Sequence, residues 1–241
     1  MNQSTQVTHF DRFEFKYLLN AKLRNDFESE LLAFMDLDPY VDKQQHSEYF
    51  VRSLYFDTPQ LQCFYDKVDG LKRRHKFRVR TYTDTPSPET PQFLEIKGRY
   101  NQFVFKHRVE LEYQDESLER RLRHQALNST VIEQFQFEYF KRQIRPVALI
   151  DYWRRPYISK YDPEFRLTFD HRLQATATRE LSPHEGEDRR EFLSGYTVME
   201  VKFKRQFPAW FHGLLQAYEL ERLSISKICR GMEALGIAED I

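Results

Sequence analysis

Residues 73–113 read RRHKFRVRTYTDTPSPETPQFLEIKGRYNQFVFKHRVELEY. Three runs in this stretch alternate charge with apolar bulk. In 73–83, Lys76, Arg78 and Arg80 alternate with Phe77, Val79 and Thr81. In 92–100, Glu95, Lys97 and Arg99 alternate with Leu94 and Ile96. In 103–113, Lys106, Arg108, Glu110 and Glu112 alternate with Val109 and Leu111. Residues i, i+2 and i+4 of a strand share a face, so each run predicts a strand with one charged and one apolar side. The Pro-rich TDTPSPETP links the first two, and Tyr100-Asn101-Gln102 predicts a tight hairpin between the last two.

The same period recurs along the chain. In 10–17, Arg12, Glu14 and Lys16 oppose Phe13, Phe15 and Tyr17. In 164–170, Arg166, Thr168 and Asp170 oppose Phe165, Leu167 and Phe169. In 195–204, Glu200, Lys202 and Lys204 oppose Met199, Val201 and Phe203. With 50–57 and 146–155 this makes eight expected strands. Helical spacing of Leu23, Phe27, Leu31 and Phe34 after the capping Asn20 predicts a helix over 21–35. Thr58-Pro59 starts a short helix or a turn, and further helices are expected over 115–124, over 130–140 behind a Thr130/Glu133 capping box, from Pro208, and from about Ser224 to Gly236. The polar segment 174–194 reads as a mobile loop. Short connections between the strands predict a largely antiparallel sheet in one α+β domain over 1–241, with its core at about 10–236.

Lys+Arg and Asp+Glu are both 37, which argues against a globally basic nucleic-acid binder. No apolar run approaches the ~20 residues a membrane helix needs. The polar Met1–Thr8 segment does not read as a signal peptide, and Cys63 and Cys229 suit a reduced cytoplasmic protein. Charge is nevertheless uneven: residues 71–108 hold ten Lys/Arg against three Asp/Glu. A sheet with one solvated face gives the same alternation. Arginines crowded at strand centres fit that reading poorly, because like charges on adjacent strands repel unless an anion neutralises them. Guanidinium groups fork onto phosphate oxygens. The sharper expectation is an eight-stranded antiparallel β-barrel tunnel with a polar, basic interior and helices packed on the outside. Such a bore suits a triphosphate or polyphosphate chain with a divalent metal.

Nine segments, in order, carry a family resemblance: RFEFKYLL at 12–19, VRSLYFDTP at 51–59, KFRVRTY at 76–82, FLEIKGR at 93–99, KHRVEL at 106–111, the Tyr152/Arg154 segment, FRLTFD at 165–170, VMEVKF at 198–203 and SKICRGME at 226–233. Together they resemble the VTC-type polyphosphate polymerase domain of the triphosphate tunnel metalloenzymes, relatives of the CYTH proteins. The resemblance implies a tunnel of eight antiparallel strands that binds phosphates and, near one end, Mn²⁺ or Mg²⁺. By that resemblance Arg78, Arg80, Lys97, Arg154 and Arg166 handle the transferring phosphates. Lys16, Lys106, Lys227 and Arg230 bind phosphate, and Glu200 holds the metal. Arg99 and Lys202, on the same charged faces, join the phosphate-binding set. Glu14 and Glu110 are read first as partners of neighbouring arginines, with a role as secondary acids the alternative. Arg12 stands where the CYTH proteins carry their first glutamate, which disfavours a two-metal cyclase or thiamine-triphosphatase site.

The implied reaction moves the γ-phosphate of ATP onto a phosphate or polyphosphate chain. A triphosphate or polyphosphate hydrolase and a non-catalytic polyphosphate-binding module are the alternatives. No nucleic acid is expected as a partner, and any membrane function would come from a separate protein. Tyr82, Tyr100 and Tyr152 could stack on adenine, although with 14 Tyr in the chain ordinary packing accounts for them better. His75 and His107 have no assigned role.

Overall fold

The computed structural model describes residues 6–10, 13–41, 47–87, 89–101, 103–112, 117–124 and 129–239. Their elements run β1 (Gln6–Phe10), β2 (Phe13–Asn20), α1 (Ala21–Leu31), β3 (Met35–Leu37), β4 (Tyr49–Asp57), α2 (Gln62–Val68), β5 (Arg73–Thr81), β6 (Gln92–Tyr100) and β7 (Phe103–Leu111). Then follow α3 (Leu118–His124), α4 (Thr130–Lys141), β8 (Arg145–Ser159), β9 (Arg166–Thr176), β10 (Arg189–Glu191), β11 (Tyr196–Phe203), α5 (Ala209–Ala217) and α6 (Lys227–Ala234). All eight expected strands form. β1, β3 and β10 are additional and too short to carry a readable alternation. The expected loop 174–194 is partly sheet, since β9 runs to Thr176 and Arg189–Glu191 pairs back onto it.

Local chemistry sets the helix starts. The Asn20 side chain accepts from the Leu23 amide at 2.9 Å. Ser226 accepts from the Cys229 amide at 3.4 Å. α4 is capped by Ser129 and not by the expected Thr130, which is its first helical residue. Buried Asp57 accepts from the amides of Thr58, Cys63 and Phe64, which pins α2 beneath the end of β4.

The sheet is antiparallel, in the order β1-β7-β6-β5-β4-β8-β9-β11-β2, with β10 on β9 and β3 on β8. The expected closed eight-stranded barrel does not form: among the described residues no backbone pairing joins β1 to β2. β1 occupies the edge of β7, from Gln6↔Arg108 to Phe10↔Val104, so β2 does not pair with β7, and β1 and β2 stand as the two unjoined end strands of the sheet. The sheet still curls, and side chains bridge the gap. Lys97 of β6 reaches Glu14 of β2 at 2.8 Å.

Three apolar clusters flank the curl. Leu54, Phe56, Phe77, Val79, Leu94 and Ile96 pack with residues of α3 and α4, including Leu122, Ile132 and Phe135. Leu19, Leu167, Phe169, Met199 and Val201 pack with Phe27 and Leu31 of α1 and Phe211 of α5. These helices cover the outer face, as expected. α6 does not. Its Ile228, Cys229 and Met232 pack with Tyr55, Ile150, Tyr152 and Val198, whose alternation places them on the inner face with Arg154 and Glu200. Gly231 allows this seat: a Cβ there would lie 2.4 Å from Ile150 Cδ1 and 3.1 Å from Ala175 Cβ. The inner face at that end is apolar enough to take a helix, which leaves the charged side chains to line the remainder.

Candidate functional site

The inner face encloses a cavity of about 360 Å³. Ten cationic side chains line it: Lys16, Lys76, Arg78, Arg80, Lys97, Lys106, Arg154, Arg166, Lys202 and Lys227. Only Glu14, Asp38 and Glu200 among the lining residues are acidic. Sheet register explains the crowding. Lys76 pairs with Lys97, and Lys97 with Lys106, so three lysines lie abreast across β5, β6 and β7. The next row is Arg78, Glu95 and Arg108, with a carboxylate at its centre.

Two fully buried carboxylates hold the arginines in place. Glu95 accepts from Arg78 Nε at 2.7 Å and contacts Arg78 Nη2 and Lys106 Nζ, each at 2.6 Å. Burial pushes its carboxyl up, but Arg78, Arg80 and Lys106 outweigh this and hold it well below the usual range. Asp170 takes a bidentate fork from Arg154 at 2.6 and 2.7 Å and Lys227 Nζ at 2.6 Å. The phenols of Tyr55 and Tyr152 complete the frame, accepting from Arg78 at 2.8 Å and from Arg80 at 3.2 Å. Ser53 accepts a second bond from Arg80. These contacts fix the orientation of each guanidinium in the lining.

Excess cation charge marks the ionisable groups. Burial lowers the Lys76 ammonium to about 8, and repulsion from Lys16 and Lys97 adds to this. Burial lowers Lys106 to about 7 against the pull of Glu95. Burial pushes the Tyr55 phenol up, yet Arg78, Arg80 and Lys76 bring it down to about 8. Burial and Glu200 push the Glu14 carboxyl up, but Lys97, Lys16 and Lys202 hold it well below the usual range.

Of the residues singled out in the sequence, Arg78, Arg80, Lys97, Arg154, Lys16, Lys106, Lys202, Lys227 and Glu200 converge on this cavity. Arg166 lines its rim, half exposed, with Asp38 at 3.9 Å. Arg99 lies outside, in an adjoining cavity. Arg230 is turned out to solvent and pairs with Glu233 at 2.8 Å, so its three-residue spacing from Lys227 does not bring it to the channel. Glu110 is exposed at the far end of β7. His75 lines only the adjoining cavity, and His107 neither. Sequence reading put Lys76, Glu95 and Asp170 on the charged faces but gave them no role. The alternation already carried that signal. Tyr55 and Ser53 sit on β4, which does not alternate charge with apolar bulk, so no such signal marks them.

Among the described residues no group of three or more His, Cys, Asp or Glu gathers around one point. Glu200 is the buried acid of the cavity, with Lys202 at 2.7 Å and Lys16 and Lys227 each at 3.8 Å. Opposite it on β9 stands Thr168, whose buried hydroxyl has no hydrogen-bond partner. This donor set fits Mg²⁺ or Mn²⁺ held by one carboxylate, with phosphate oxygens and water completing the shell, and does not fit an all-protein cage.

Residues 11–236 match the VTC domain. The chain belongs to the VTC domain family. This is a triphosphate tunnel family, and its folds serve phosphotransferases and hydrolases that typically use divalent metals. No curated protein matches the chain. Among solved structures, a Bacillus halodurans protein provisionally described as an adenylate cyclase shares 13% identity at a TM-score of 0.50, over 90% of this chain and 96% of that one. A Pyrococcus horikoshii OT3 protein shares 12% at 0.48, over 94% and 98%. A Vibrio parahaemolyticus protein, also provisionally described as an adenylate cyclase, shares 12% at 0.46, over 93% and 97%. At such identity the likeness concerns the fold of the VTC domain alone. No helix among the described residues of this VTC domain is long and apolar enough to cross a membrane.

Proposed function

We propose that this VTC domain is a metal-dependent phosphotransferase that moves the γ-phosphate of ATP onto a phosphate or polyphosphate chain. The observation that carries this reading is the lining: ten cations against three carboxylates, in a chain whose total charge is zero. Side chains of that kind serve a narrow polyanion. A nucleic-acid duplex does not fit a cavity of about 360 Å³.

In this reading Arg78, Arg80, Lys97, Arg154 and Arg166 hold the phosphates and neutralise charge on the transferring group. Lys16, Lys106, Lys202 and Lys227 bind neighbouring phosphates, exchanging part of their contact with carboxylates for contact with substrate. An oxygen of the acceptor's terminal phosphate attacks the γ-phosphorus in line, the bond from phosphorus to the β,γ-bridging oxygen breaks, and ADP leaves with that oxygen. The acceptor is already an anion, so no general base is required. Glu200 would hold Mn²⁺ or Mg²⁺, which supplies Lewis-acid neutralisation of phosphate oxygens when bound. Cys63 and Cys229 are buried and unpaired, which suits a reducing compartment such as the cytoplasm.

Incubation with ATP and Mn²⁺ tests the reading. ADP together with long-chain polyphosphate is the expected product. Orthophosphate without chains assigns the same channel to hydrolysis. Tight binding without turnover, indifferent to Glu200→Gln, assigns it to sensing.

A further inference from the structure

Tyr49, Arg154 and Asp170 stand abreast on the channel face, paired Tyr49↔Arg154 across β4 and β8 and Arg154↔Asp170 across β8 and β9. Behind them lies a second set of polar side chains, Glu48, Arg155 and His171, none of which lines the cavity. Each is the chain neighbour of one of the three in front. Successive residues of a strand face opposite ways, so Arg155 and His171 point outward. Glu48, just before β4, joins them there.

The outer three are bonded to one another. Buried Glu48 lies 2.9 Å from His171 Nε2 and accepts from Arg155 Nη2 at 3.4 Å. Arg155 Nη1 donates to Glu28 of α1 at 3.0 Å, and Glu28 also takes the Tyr157 hydroxyl at 2.5 Å and Arg24 Nη2 at 2.9 Å. A carboxylate only accepts, so His171 Nε2 carries the proton of its bond to Glu48. Burial lowers His171 below its ordinary value, Arg24 and Arg172 add to this and Glu48 opposes it, so at neutral pH the ring donates as uncharged imidazole. The backbone beside this bond is irregular. Pairing of β8 with β9 jumps from Asp151↔Gln174 to Trp153↔His171, which leaves one extra residue on β9. Arg172, next to His171, has φ of 52°, in the left-handed region that residues with a Cβ disfavour. Such a bulge interrupts the ladder and bends the strand. The Arg154–Asp170 fork therefore sits one residue from a break in backbone pairing.

We propose that His171 and Glu48 are positioning residues for the phosphate channel: their bond closes the outer face over this break and so holds Arg154 and Asp170 at their spacing on the inner one. The proposal rests on the phosphate-channel reading above and adds two residues that never meet the phosphate. Arg155, held between Glu48 and Glu28, carries the brace on to α1.

The test compares His171→Gln with His171→Asn, in the full chain, by binding of tripolyphosphate at neutral pH. Glutamine carries an amide N–H where imidazole carries Nε2–H, whereas the amide of asparagine falls short of Glu48. His171→Gln should bind within about two-fold of the parent, and His171→Asn about ten-fold more weakly. Glu48→Ala removes the other end of the bond and should match His171→Asn, so either variant serves if the other does not unfold cooperatively. In an Arg154→Ala background, where Asp170 keeps Lys227, His171→Asn should change affinity by no more than about two-fold, because the group it positions is gone. In a Lys106→Gln background, which alters β7 instead, it should still cost about ten-fold. Parent-like binding by His171→Asn and Glu48→Ala overturns the brace. An equal loss in both backgrounds also overturns it, since that is a general weakening of the fold. Either result leaves the channel untouched, whereas failure of the parent to bind tripolyphosphate overturns the channel reading and the brace with it.

Discussion

Replacing Glu95 by Gln removes the charge that holds Arg78 and Lys106 while keeping the side chain's size. Glu95 has no exposed surface, and its carboxylate lies within 2.6 to 2.7 Å of both partners. Removing one member of a buried ion pair costs roughly 3–5 kcal/mol, because the remaining charge stays buried without compensation. Lys106 is the more exposed partner, with 30% of its side chain accessible, so we expect the lower end, about 3 kcal/mol. For a chain of this size that lowers Tm by about 6–12 °C. Urea or thermal unfolding at pH 7 measures the loss. The sign with pH follows from the depressed carboxyl. The stabilisation is complete above the unfolded-state pKa of 4.5 and fades as pH falls through the lower folded value. Parent and variant should therefore converge in acid. Tripolyphosphate should return most of the lost stability at pH 7 by neutralising Arg78 and Lys106 itself. A variant as stable as the parent, or one unaided by tripolyphosphate, refutes the view that Glu95 stands in for an anion among channel cations.

Arg78→Ala and Glu200→Gln should each lower turnover of ATP with Mn²⁺ by about 100-fold or more while leaving the unfolding transition cooperative. Full activity in both variants would remove the assigned site. Tripolyphosphate affinity should fall as pH rises from 7 to 9. Lys106 and Lys76 give up their protons near 7 and 8, and Tyr55 becomes an anion near 8. Calorimetry near pH 8 in buffers of different ionisation enthalpy should show protons taken up on binding, and a flat profile without uptake would contradict those shifts. Gly231→Ala should destabilise by about 1–3 kcal/mol, because the new methyl meets Ile150 and Ala175 under α6; unchanged unfolding would mean that α6 can shift at little cost.

Much of this molecule is legible in its sequence because strand alternation is a property of the backbone alone. Lys76, Arg78 and Arg80 fall on one face of β5 whatever pairs with it, and so do Glu200 and Lys202 on β11. The cap at Asn20 is equally local, whereas the last helix starts behind Ser226 and not at the expected Ser224. The expected barrel shows where local reading stops. β1 has too little alternation to be seen, yet it takes the edge of β7, and among the described residues no pairing joins it to β2. Nothing local in α6 tells which face of the sheet it covers; it packs on the inner face, where Gly231 and small Ala175 make room.

The sequence by itself determined which side chains share a face, and with that the presence of a strongly basic surface in a chain of zero net charge. Tertiary structure alone decided that this surface curls inward and which charges then meet. Lys97 finds Glu14 from 83 residues away, Lys16 finds the Ile225 carbonyl from 209, and Arg230 is left in solvent. The physical reason is one of range. Alternation repeats every two residues, about 6.6 Å along a strand, whereas the approach of β2 to β6 is set by the register and curvature of the whole sheet.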